Sequence, residues 1–103
     1  MTEQPSTLYA KLLGETASIH WEELQPFFAK GALLWVDPVL DLIAVAQAFA
    51  EDDKAAISPW LAAAQVGKVS DAQAMALHQG TPDLWAVVVS PWVLFQNRAT
   101  PAA

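Results

Sequence analysis

The chain has 103 residues, no cysteine and a formal charge of −6. That length holds one domain with one modest core, and 54% apolar against 16% charged residues excludes disorder for most of it. The missing cysteine excludes a disulfide framework, a thiolate zinc site and a thiol nucleophile.

The five cations, Lys11, Lys30, Lys54, Lys68 and Arg98, stand singly along the sequence. Phosphate neutralisation needs clustered Lys and Arg, so nucleic acid is excluded as a partner, and the acidic balance disfavours anionic lipid. The opening MTEQPSTLYAKLL has an acid where a secretory signal is basic and lacks an apolar run before a cleavage site. A cytoplasmic protein is therefore expected.

In chain order, MTEQPS reads as a loose start. Leu8, Leu12 and Leu13 share a helical face, capped by Ser6 or Thr7, which predicts a first helix ending near Glu15. Trp21, Leu24 and Phe28 repeat the helical spacing, with Glu22 and Glu23 in the first turn and Lys30-Gly31 at the end. Pro26 lacks the N–H that should meet the Glu22 carbonyl, so this helix is expected to start late or kink.

Ala32 to Val36 is apolar on both alternating faces and reads as a strand covered on both sides. Asp37-Pro38 then has the character of an N-cap and first helical residue, placing Val39, Leu42, Ile43, Ala46 and Phe49 on one face of a third helix. EDDKAAISPWLAAAQVGK holds one kinked helix or two short ones; Ser58-Pro59 favours a restart there, with Gly67 as the stop. Ser70 and Gln73 have capping-box spacing and open a further helix that Gly80 and Pro82 end.

From Trp85 the sequence alternates bulky residues on both faces, which predicts a buried strand, interrupted at Pro91 and resumed from Trp92 to Phe95. The stretch from Trp85 to Gln96 spans only a dozen residues and contains Pro91, whereas a membrane span needs about 20 consecutive apolar residues, so no membrane partner is expected. NRATPAA reads as a loose end. The fold class expected is α+β, one domain over 7–96, with four or five helices packed on a small sheet formed by Ala32 to Val36 and Trp85 to Phe95.

GALLWVDPVLDLIAVAQAFAEDD, WLAAAQVGK and WAVVVSPWVLFQ together resemble a family of short bacterial proteins known as domain of unknown function 2288. The resemblance spans Leu8 to Gln96. It implies a bacterial origin and a compact domain, and it carries no catalytic residue with it.

Glu51, Asp52 and Asp53 are adjacent acids after an apolar helix. Carboxylates ligate hard cations, but no Asp-x-Asp loop with a glycine hinge surrounds them, and acids also belong at the N-terminus of the next helix. His20 and Glu23, three apart on a helix, offer acid–base or ligand chemistry, or simply a cap. His78, the other histidine, reads as remote from His20 and structural, near a helix C-terminus. Ser58, Ser70 and Ser90 have capping or pre-proline roles, and neither a Gly-x-Ser-x-Gly elbow nor a glycine-rich phosphate loop occurs.

Five tryptophans are many for one small core. Trp60 and Trp92, each after a proline, are the best candidates for a contact surface, with Phe95 further along the same stretch. A two-stranded sheet is marginal alone, so the C-terminal strand is expected to pair across a two-fold axis in a homodimer. The functional expectation is a non-catalytic protein-interaction or regulatory module without a cofactor. The alternative is a small metal-dependent enzyme or metal-binding protein using Glu51, Asp52 and Asp53 with His20. A third reading is a small-molecule pocket lined by Trp60 and Trp92.

Overall fold

A computed structural model describes residues 7–99. In chain order it runs α1 (Thr7–Glu15), β1 (Ala17–Ile19), α2 (Trp21–Ala29), β2 (Leu33–Val36), α3 (Leu42–Ala50), α4 (Lys54–Ala62), β3 (Val66–Lys68), α5 (Asp71–Gln79), β4 (Leu84–Val89) and β5 (Trp92–Asn97). The strands form one sheet in the order β1-β4-β5-β2-β3. The β2–β5 pair is parallel and the other neighbours are antiparallel, so the domain is α+β with a mixed sheet.

The two-faced strands explain the layering. On β5, Val93 and Phe95 point to one side and Leu94 to the other; on β2, Leu33 and Leu34 divide in the same way. A sheet apolar on both faces needs cover on both, and the helices divide accordingly. Leu12 of α1 and Leu42, Ile43, Val45 and Ala46 of α3 pack with Val36, Val87 and Leu94 on one face, where Trp60 of α4 also packs. Trp21 and Leu24 of α2 and Ala74 of α5 pack with Leu84, Val93 and Phe95 on the other. α3 also contacts α1 and α4, so it is buried on most sides.

The sheet is larger than the two strands read from the sequence. Trp85 to Phe95 is a hairpin, in which Val89 pairs with Trp92 across Ser90-Pro91, a cis peptide at the turn. Edge strands β1 and β3 complete the sheet. β5 is bonded by β4 on one side and β2 on the other, so it has no free edge to offer a second copy, and the sheet is not short of strands.

Four helix boundaries differ from expectation. Asp41, not Asp37, caps α3: its Oδ1 accepts the N–H groups of Ile43 (3.0 Å) and Ala44 (3.4 Å). Residues 37–40 form a turn held by the Asp37 carboxylate, which accepts from Val39 N–H at 2.9 Å, and Val39 is 74% exposed rather than in the core. α4 does not restart at Ser58; it begins at Lys54, where Asp53 Oδ1 accepts from Ala56 N–H at 3.2 Å, and runs on through Pro59. α2 likewise starts on time at Trp21 and carries Pro26 inside it.

Nor does Gly67 stop α4. That helix ends at Ala62, and beyond it Ala64 takes φ +58°, with Gln65 N–H donating back to the Trp60 carbonyl at 2.8 Å and Ala64 N–H to that of Leu61 at 3.1 Å. This pair of bonds is the Schellman ending. Gly67 lies in β3 opposite Trp35, and a Cβ there would sit 3.4 Å from the Trp35 Nε1, so the absent side chain leaves room for the indole.

The Ser70 to Gly80 helix has the expected bounds. Ser70 Oγ accepts from Gln73 N–H at 3.1 Å, and Gln73 Oε1 accepts from Ser70 N–H at 2.8 Å. Residues 97–99 are not loose: Asn97 ends β5, its Oδ1 accepts from Asp83 and Ala99 N–H, and Arg98 N–H donates to Asp83 O. The expected loose segments at 1–6 and 100–103 lie outside the described residues.

Candidate functional site

The acidic triplet is a hinge between two helices. Asp52 takes φ +54° and Asp53 N–H donates to Ala48 O at 2.8 Å, which closes α3 with the same Schellman geometry. The Asp53 carboxylate then opens α4, and Glu51 Oε2 accepts from Gln47 Nε2 at 3.5 Å on the preceding turn. The three carboxylates are thus distributed along a helix–turn–helix. Among the described residues no three His, Cys, Asp or Glu side chains stand where they could share a metal ion.

Two histidines that the sequence separates are brought together. His20, the N-cap of α2, and His78, in the last turn of α5, line one cleft of about 230 Å³ with Glu22 and Thr81. Glu23, the partner expected beside His20, instead accepts the backbone N–H of His20 at 3.0 Å, which is a capping role. Both imidazoles are exposed.

Trp60 and Trp92 are half-buried against the α1/α3 face of the sheet. The Lys68 ammonium stands 5.8 Å from the Trp92 ring centre, within cation–π distance. Neither tryptophan lines the cleft between His20 and His78. Phe95 is 3% exposed and belongs to the core of the opposite face, so it offers no outer contact surface.

Phe95 does line a second, larger groove of about 350 Å³, between α5 and the C-terminal ends of β2 and β5. Trp35, Leu77, Gln73 and Asn97 line it as well. The outer edge of β4 is a different kind of surface. β1 covers Leu84 to Ala86, while Val87 to Val89 extend past it, and Val88 is 58% exposed. Sequence reasoning missed both surfaces: Val88 stands in a run of three valines with nothing to mark the middle one, and the groove joins residues from three distant segments.

The family described as "Protein of unknown function (DUF2288)" matches residues 7–97. The chain belongs to that family. Among solved structures, this DUF2288 chain is similar to PA1075 from Pseudomonas aeruginosa, an NMR solution structure, at 57% identity and a TM-score of 0.82, covering 100% of this chain and 95% of that one. No curated protein matches this DUF2288 chain. Among its described residues, no helix is long and apolar enough to cross a membrane.

Proposed function

We propose that the protein is a non-catalytic interaction module that acts as a homodimer, with the outer edge of β4 at Val87–Val89 as its contact surface. The observation that carries this reading is Val88, 58% exposed on a strand whose outer edge continues past the end of β1. Exposed strand edges in monomers are blunted by charge, proline or a bulge within the edge. Here the stretch from Leu84 to Gln96 contains no charged residue, and its proline sits in the hairpin turn.

Isologous antiparallel pairing would bring Val88 opposite or beside its own copy and extend the sheet across a two-fold axis. Each chain carries −6, but no residue from Leu84 to Gln96 is charged, so the strand itself adds no like-charge repulsion to the pairing. Light scattering after size exclusion at tens of micromolar tests the reading. The wild type is expected as a dimer and Val88→Lys as a monomer with an unchanged melting temperature. A monomeric wild type overturns it.

A further inference from the structure

The groove beside α5 combines an apolar lining with a one-sided set of hydrogen-bonding groups. Trp35 and Leu77, both half-buried, supply most of the apolar surface, and Phe95, 3% exposed, contributes only a small area. Its polar side chains are two amides whose orientation is fixed by the backbone groups they serve. Gln73 Oε1 is held by Ser70 N–H at 2.8 Å. Asn97 Oδ1 is held by Asp83 N–H at 3.1 Å and Ala99 N–H at 3.0 Å.

In each case the backbone donor demands the oxygen, so a flip of the amide is excluded. The two NH₂ groups therefore remain as donors without a protein partner among the described residues. Among the described residues no Asp, Glu, Lys or Arg lines the groove. A cation finds no carboxylate there, and an anion meets no positive charge on a chain carrying −6.

We infer that this groove binds a neutral, planar aromatic compound of one or two rings whose edge carries carbonyl-type acceptors. Its volume of about 350 Å³ is at the lower end of the range for ligand pockets, about 300–1,000 Å³, which sets the ring count. The rings lie against the Trp35 indole and the Phe95 and Leu77 side chains, and the acceptors take the spare protons of Gln73 and Asn97.

Two probes of similar shape and opposite hydrogen-bonding character test this: chromone, which only accepts, and indole, which only donates. In ¹⁵N-resolved NMR titrations, chromone is expected to give saturable shifts at the Trp35 indole N–H and at the Gln73 and Asn97 side-chain amides. It should bind roughly tenfold tighter than indole, the ratio expected when a hydrogen bond made by one is unmade by the other. Gln73→Glu keeps the oxygen that Ser70 N–H requires but replaces the donor with an acceptor, so the preference for chromone should be lost while the melting temperature holds.

Asn97→Asp makes the same exchange on β5 and serves if the first variant does not fold. Equal affinity for the two probes, shifts confined to another surface, or unchanged chromone binding in the folded variants overturns the assignment.

Discussion

The side chain of Gln96 reaches across to the turn before α3, where its Nε2 donates to the carbonyl of Leu40 at 2.7 Å and to that of Asp37 at 3.0 Å. Its Oε1 accepts from Arg98 Nε at 2.9 Å, so all the chemistry of the amide is used. Gln96 is 3% exposed, and it ties the C-terminal strand to the approach of the central helix. Replacing it by Met keeps the volume but strips the Leu40 carbonyl and Arg98 Nε of these partners, while the Asp37 carbonyl keeps the Leu40 N–H at 2.9 Å. Unsatisfied buried groups cost more than the bonds they lose, so Gln96→Met should cost about 2–3 kcal/mol in denaturant unfolding and lower Tm by roughly 10 °C.

Asp41 is shared between two tasks. One oxygen caps α3, and the other accepts the hydroxyl of Tyr9 at 2.7 Å, tying α1 to the start of α3. The hydrogen bond to Asp41, followed by desolvation and the carboxylate's charge, raises the Tyr9 pKa above the ordinary 10.0. Because the folded value exceeds the unfolded one, the contribution to stability is fully present below about pH 10 and is lost as pH rises through the folded value. Tyr9 is the one tyrosine of the chain, so the phenolate difference spectrum reports it alone. Its midpoint should lie above 10.0 and move down in Asp41→Asn, which keeps the capping oxygen and removes the charge.

These contacts show why part of the fold was legible and part was not. The capping box at Ser70 and the two-faced apolar runs are local signals, and they placed α5, β2 and the C-terminal hairpin segments. Asp37-Pro38 is an equally good local signal for a helix start, yet the helix begins at Asp41. The Asp37 N–H is bonded to Gln65 O at 2.7 Å and its carbonyl to Gln96, 59 residues away, which holds 37–40 as a turn. A local reading cannot see a partner at that distance. β1 and β3 have three residues each, too few for any alternation to register.

The acidic triplet was half legible, because a cap and a cation site call for the same residue types. The structure gives Asp53 the cap. Asp53→Ala should then cost about 0.5–2 kcal/mol and Asp53→Asn almost nothing, since Asn supplies the same acceptor oxygen. Thermal melts of the wild type with Mg²⁺, Mn²⁺, Ca²⁺ or Zn²⁺ should show no specific shift, as a ligand that binds the native state must raise Tm. A rise that Asp53→Asn abolishes would restore the metal reading.

Ala64 and Gly31 end their helices in the same left-handed conformation, at φ +58° and +72°, with the same pair of backward backbone bonds. An alanine in that region carries a Cβ penalty that glycine does not, so α4 holds backbone strain that α2 avoids. Ala64→Gly should therefore stabilise the fold, by roughly 0.5–1 kcal/mol after glycine's greater unfolded-state entropy is subtracted. Gly31→Ala should destabilise by about 1 kcal/mol for the converse reason, although a Cβ at Gly31 would meet no atom within 4 Å. Opposite signs in urea midpoints for the two exchanges would locate the effect in the backbone. Matching signs would contradict it, because packing around Gly31 gives no reason for a change in either direction.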